Sequence, residues 1–199
     1  MKSAFFLLFL VALFVSNSPF SFAAEAPNPV LDAKGKMVRS GARYYICSVY
    51  PSTGGLTLES LDNKPCPLDI VQEDQVPGLP VSFYPINLKK GVVRVSTDLN
   101  VEFPTACKTK CPNSNWWTFD VCPATKNYFL STGGQLGNPG PNTIRNWFKI
   151  EPYGPGLYKF LYCPTFSKVA CKYVGIVAQN GKRRLALSDV PMKFVLKQA

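Results

Sequence analysis

The sequence predicts an all-β fold, a sandwich or a closed barrel, on three observations. About a dozen short runs rich in β-branched and aromatic residues recur along the chain, at residues 43–49, 56–58, 68–71, 81–83, 92–95, 99–103, 116–121, 128–130, 147–150, 157–163, 173–178, 184–187 and 194–196. No segment sustains a helical period. Eighteen prolines and fourteen glycines punctuate the runs. At two places the residue pattern is informative. Val101 and Phe103 alternate with Asn100 and Glu102, as a half-buried antiparallel strand requires. Asn180-Gly181 stands between "VGIVAQ" and "KRRLALS", and both residues tolerate the positive φ of a type I′ turn, so a hairpin is expected there. The stretch "GGQLGNPGPNT", residues 133–143, reads as a long loop inside one domain.

The N-terminus begins Met1-Lys2, continues in an apolar run from Ala4 to Val15 and ends in Ser21-Phe22-Ala23. A positive start, a short apolar core and small residues at the cleavage positions are the pattern of a secretory signal peptide spanning residues 1–23, with Ala24 or Ala26 as fallback sites. The run is shorter than the roughly 20 apolar residues a membrane span takes, and none follows. Residues 24–199 then form a single secreted domain of 176 residues, extracellular (apoplastic) or vacuolar. No Asn-x-Ser/Thr sequon occurs in it.

Basic residues outnumber acidic ones, 22 against 12, for a net charge of +10. In a secreted chain such an excess points to anionic polysaccharide, membrane headgroups or plain solubility rather than to nucleic acid. The densest cluster, Lys182-Arg183-Arg184, reads as a solvated turn. Histidine is absent, which removes Ser–His–Asp and Cys–His catalysis, because both need an imidazole titrating near neutral pH. Twelve acidic residues, clustered nowhere beyond Glu73-Asp74, offer no carboxylate pair for glycoside hydrolysis. A non-enzymatic role is expected. All seven cysteines, Cys47, Cys66, Cys107, Cys111, Cys122, Cys163 and Cys171, lie past the signal. An oxidising compartment favours pairing. Cys107 and Cys111 are spaced like metal ligands, but without histidine and in that compartment no metal or other cofactor is expected. Seven is odd, so one thiol is left over. The aromatic residues Trp116, Trp117, Phe119, Trp147, Phe148, Tyr158, Phe160 and Tyr162 are read as core packing rather than a sugar-stacking surface.

After the signal comes "VLDAKGKMVRSGARYYI", with Val30, Asp32, Gly35, Val38, Tyr44 and Ile46 at the spacing of the N-terminal signature of the plant Kunitz-type (soybean trypsin inhibitor-like) family. In order follow "GGLTL", "CPLDIVQ", "GLPVSFYP", "VVRVSTDLNVEF", "GNPGPNTIRNWFKIE", "YKFLYCP" and "VGIVAQNGKRRLALSD". Eight ordered matches over residues 29–197 make the chain resemble that family, and its miraculin-like branch most. The resemblance implies a β-trefoil, six strands closing a barrel and six more capping it. It also implies reversible inhibition of a protease by one exposed loop, often in plant defence. The alternative on the same scaffold is a non-inhibitory binding, stress or storage protein.

In the family the inhibitory loop lies between the strands matching "GLPVSF" and "VVRVS", which places it here at Pro85, Ile86, Asn87, Leu88, Lys89 and Lys90. Pro85 fixes one φ and has no N–H, and a stiff bait loses little entropy on binding. Ungapped alignment puts Asn87 in the protease specificity pocket and Leu88 after the scissile bond, whereas trypsin-directed members carry Arg or Lys there. A register slip of two or three residues brings in Lys89 or Lys90 instead. Ser40 stands where family inhibitors commonly have an asparagine bracing the loop. The expected target is a serine protease, with a cysteine protease reached through other loops as the alternative. The resemblance also pairs Cys163 with Cys171 and Cys66 with Cys107 or Cys111, spacing to the tryptophans favouring Cys111. Cys107–Cys122 is an extra link, leaving Cys47 as a buried thiol or, in a disulfide-linked dimer, an interchain one. A monomer is the expected state.

Overall fold

In the computed structural model, residues 26–50, 53–61, 65–87, 91–104, 111 and 115–199 are described. They form twelve strands: β1 (Arg43–Ser48), β2 (Leu56–Glu59), β3 (Asp69–Gln72), β4 (Val81–Pro85), β5 (Leu99–Glu102), β6 (Trp116–Val121), β7 (Tyr128–Gly134), β8 (Lys149–Gly154), β9 (Leu157–Tyr162), β10 (Lys172–Gln179), β11 (Lys182–Ser188) and β12 (Phe194–Gln198). Several begin or end at a Gly, Pro, Asn or Ser that cannot extend a ladder cheaply, as at Ser48, Pro85, Gly134 and Gly154. The signal-peptide segment lies outside the described residues.

Six strands close a ring. β1 pairs with β4 and β12, β4 with β5, and β9 with β8 and β12, all antiparallel. The gap between β5 and β8 is bridged where Leu99 and Phe148 exchange N–H to C=O bonds at 2.8 and 2.9 Å. Closure removes the exposed edges that an open sheet would present. The other six strands form three hairpins, β2–β3, β6–β7 and β10–β11. Those hairpins meet one another through Arg184 opposite Val71, Ala186 opposite Phe129 and Asp69 opposite Ser131. Three caps touching pairwise at one end of a six-stranded ring is the three-fold plan of a trefoil, and it removes the sandwich alternative.

Alternation fills the core. Tyr158, Phe160 and Tyr162 of β9 are buried while their neighbours are half-buried, and Phe194 and Leu196 of β12 do the same from the facing side. Rings meet edge-to-face, Trp117 on Phe160 at 5.3 Å, or stacked, Phe160 on Phe194 at 4.5 Å. Each such side chain contributes about 1.5–3 kcal/mol by leaving water. Trp117, Phe119, Trp147, Phe148, Tyr158, Phe160 and Tyr162 are all buried as core packing predicts, and Trp116 is half-exposed.

Asn180 and Gly181 take φ of 51° and 74° between the paired Gln179 and Lys182, the expected two-residue hairpin turn. Three expectations are corrected. Residues 92–95 are not a strand: Gly91 and Ser96, at φ 60° and 56°, turn the chain at both ends, and the segment makes only isolated bridges to residues 29 and 39. Residues 133–143 are not all loop. Gly133 and Gly134 complete β7, where a side chain on Gly134 would strike the Trp117 carbonyl, and Pro141–Asn146 wind into a 3-10 turn. Nor is Lys182-Arg183-Arg184 a solvated turn. Strand alternation turns Arg184 inward, where its guanidinium lies 3.9 Å from the Phe129 ring and bonds Asp69 and Gln179. Arg183 and Lys182 pair with Asp74 and Glu59.

Candidate functional site: a loop clamped at both ends

The segment after β4 leaves the barrel at a defined point. Pro85 is buried and paired with Leu99, the last rung of the β4–β5 ladder. The next N–H, of Ile86, donates to the Asp98 carbonyl at 2.9 Å. Beyond it the side chains face water: Ile86 is 45% exposed and Asn87 is exposed. Leu88, Lys89 and Lys90 lie outside the described residues. An apolar residue held half in solvent beside a buried proline is not there for core packing, and exposed apolar groups mark contact surfaces when they occur at such a position.

Asp98 holds this upstream anchor from beneath. Its side chain is 3% exposed, its Oδ2 accepts the Thr165 N–H at 3.0 Å, and Lys149 Nζ stands 3.6 Å from Oδ1. Lys149 Nζ also donates to the Thr165 hydroxyl at 2.9 Å. Tyr84, pointing to the outer side, packs edge-on against Trp116 at 4.9 Å between ring centres. Burial, with the Glu102 carboxylate beside it, pushes the Tyr84 hydroxyl above its ordinary pKa.

The downstream anchor is built differently. The N-terminal arm, residues 28–40, runs beside residues 91–95. Ser40 N–H donates to the Gly91 carbonyl at 3.2 Å, Val93 N–H to Val38 at 2.9 Å, Val30 N–H to Val93 at 2.9 Å and Val95 N–H to Asn28 at 3.0 Å. The arm is itself fixed by Asp32, whose Oδ1 accepts the Lys34 and Lys36 N–H groups at 2.8 and 2.9 Å. Gly35 at φ 74° closes that turn. Tyr158 and Tyr44 hydroxyls take the Leu31 and Arg39 N–H groups at 2.9 and 3.0 Å. The turn at Asp32 and Gly35 thus fixes the arm on which residues 91–95 rest.

Among the described residues two disulfides are present, Cys66–Cys111 and Cys163–Cys171. The first closes 45 residues around the loop and stabilises by about 4 kcal/mol in the chain-entropy account. Cys107–Cys122 is a correction: Cys122 is a free thiol, held below its ordinary pKa by hydrogen bonds from Thr125 within its own turn. Cys107 lies outside the described residues. Cys47 is also free, and burial pushes its thiol up. Among the described residues no three metal-ligating side chains cluster, and no helix is long and apolar enough to cross a membrane.

Sequence reasoning marked Ser40 on the arm as a bracing position but missed Asp98, Lys149 and Thr165 as parts of this site. Asp98 and Thr165 stand 67 residues apart, a contact no local pattern carries.

A closed trefoil whose chain turns into solvent at Ile86 and Asn87, with anchors at Pro85 and Gly91, is the scaffold of a loop-type inhibitor. The chain belongs to the Kunitz family of trypsin and protease inhibitors, whose model matches residues 30–198. It is 41% identical to Kunitz trypsin inhibitor 5 of Arabidopsis thaliana over the full length of both chains. With miraculin of Synsepalum dulcificum it shares 44% identity over 96% of this chain and 92% of the relative. Among solved structures, the Kunitz-type cysteine protease inhibitor PCPI-3 from potato superposes with a TM-score of 0.75 and 32% identity, covering 87% of this chain and 98% of that one. The family is one of inhibitors and not of enzymes.

Proposed function

We propose that this chain is a secreted protease inhibitor that offers residues 85–90 as bait to a serine protease, with Asn87 in the specificity pocket and Leu88 after the scissile bond. The observation that carries the reading is the pairing of an exposed Ile86 and Asn87 with a buried Pro85 and a bonded Ile86 N–H. A bait must be accessible at its centre and immobile at its ends, because affinity then comes from freedom lost before binding. Family membership and relatives named as trypsin and serine proteinase inhibitors support it.

Asn87 argues against trypsin as the target. Its pocket has a carboxylate at the base, and an amide there leaves a desolvated charge unpaired at a cost of a few kcal/mol. The target is then a protease with a neutral pocket. A non-inhibitory role, as a binding, stress or storage protein, is the second reading, favoured by the same Asn87 and by Ser40 in place of a bracing asparagine. The inhibitor is read as a monomer, with an interchain disulfide as the alternative, which a non-reducing gel separates.

Incubation of the chain with trypsin, chymotrypsin, elastase, subtilisin and papain, with slow cleavage mapped by mass spectrometry, tests the proposal. It expects inhibition of a serine protease other than trypsin and one nick between Asn87 and Leu88. Inertness toward all five would move the case to the second reading.

A further inference from the structure

Away from the loop, the outer face of β9 and β12 carries a row of rings and ammonium groups. Phe194 and Leu196 point into the core, so Lys193, Val195 and Lys197 point outward. Lys193 Nζ lies 6.0 Å from the Tyr50 ring centre and 4.3 Å from that of Tyr153. Lys159 Nζ lies 5.8 Å from Tyr153 and 4.4 Å from Tyr173. The order is Tyr50, Lys193, Tyr153, Lys159, Tyr173, with Lys197 opposite Tyr45 in the next register position. Tyr50 and Tyr153 are 54% and 45% exposed.

Folding does not need these rings in solvent, since each could bury its apolar body as Tyr44 and Tyr158 do. Among the described residues none of these three lysines enters an ion pair. Glu151, opposite Lys159 in the hairpin, takes the Ser96 hydroxyl at 2.8 Å, and Asp189 holds Lys172 at 2.6 Å. The Tyr153 hydroxyl, and less so that of Tyr50, raises Lys193 above its ordinary pKa. A row in which exposed Tyr50 and Tyr153 alternate with half-buried lysines that enter no ion pair matches a ligand that alternates apolar faces with anions. Sugar rings present C–H faces to aromatic rings, and uronate carboxylates accept from ammonium donors.

We infer that the face formed by Tyr50, Tyr153, Lys159, Tyr173 and Lys193 binds an acidic polysaccharide of the uronate type. A nucleic-acid strand is disfavoured because bidentate phosphate recognition uses arginine, and none belongs to the row. A lipid surface is disfavoured because the rings lie along strands with no continuous apolar face to insert. The site is independent of the loop, so its partner would localise the inhibitor without blocking it.

The test is binding of polygalacturonate to the intact chain by calorimetry, at about 0.15 M ionic strength, where diffuse charge is screened beyond about 8 Å. K159A/K193A and Y153A are each expected to weaken binding at least about tenfold, with the melting temperature and protease inhibition unchanged. K34A/K36A, which removes the same charge from the arm turn, is expected to change it less than about twofold. Fully methyl-esterified polygalacturonate should bind at least about tenfold more weakly than the acid form. The proposal is overturned if polygalacturonate does not bind, if the K34A/K36A pair loses as much as the K159A/K193A pair, or if phosphatidylserine vesicles retain the chain where polygalacturonate does not.

Discussion

The two ends of the loop are held by different parts of the molecule. Upstream, Pro85 and Ile86 close the last rungs of the β4–β5 ladder, over a core that includes Phe83 and Val101. Downstream, Gly91 to Val95 rest on single bridges to an arm that belongs to no sheet of its own. The upstream anchor is as stable as the barrel, because it opens only when barrel strands part. The downstream anchor opens when the arm peels away, which uncovers Val30, Val38 and Val93 but leaves the barrel ladders paired. A sub-global opening of that kind costs less free energy than parting the whole barrel. The proposed bait is therefore anchored more firmly at its Pro85 end and more adjustably at its Gly91 end. Ser40 lies on that adjustable side.

Substitutions that strike one anchor and spare the other break or sharpen this contrast. The largest effect is expected from Phe83→Ala, which empties space beside Tyr44 and Phe160. It should lower global stability by about 4 kcal/mol in denaturant titration, with the loop and the barrel lost together. Asp98→Ala comes next, at about 3 kcal/mol. It leaves the Lys149 ammonium, 13% exposed, without its carboxylate and the Thr165 N–H without its acceptor. Limited proteolysis should then find cuts on both sides of Ile86 rather than one nick.

Val38→Ala strikes the arm. It should cost about 2 kcal/mol of stability, yet speed hydrogen exchange at the Val93 and Ser40 amides while leaving Val101 protected. Equal acceleration at Val101 would erase the distinction between the anchors. The smallest effect is expected from Ser40→Asn. Stability should change by less than about 0.5 kcal/mol, while the inhibition constant for the target protease falls several-fold, since a longer side chain reaches the loop and removes freedom it would lose on binding.

The fold was legible because every strand carries its own signal. Tyr158, Phe160 and Tyr162 alternate with Lys159 and Leu161, and Asn180-Gly181 dictates its turn. Residues 92–95 look like a strand by composition, and only the turns at Gly91 and Ser96 prevent one. Ser96 gives no warning, since serine rarely adopts positive φ. The basic triplet misled for a related reason. Arg184 is buried by its partners Asp69 and Phe129, which come from other caps, and a run of three cations carries no trace of them. The loop's position followed from ordered motifs that fix its flanks. Ser40 was marked as a bracing position by the resemblance, but the Asp98 to Thr165 contact was not, because it exists only in the folded chain.

The central claim is that residue 87 fills the protease pocket on a loop stiffened before binding. Asn87→Arg tests it most directly, because one side chain changes and the anchors do not. The expected result is a fall of at least about 100-fold in the trypsin inhibition constant, some 2.7 kcal/mol, with slow cleavage after residue 87. An unchanged constant, with any cleavage falling after Lys89 or Lys90, would contradict it.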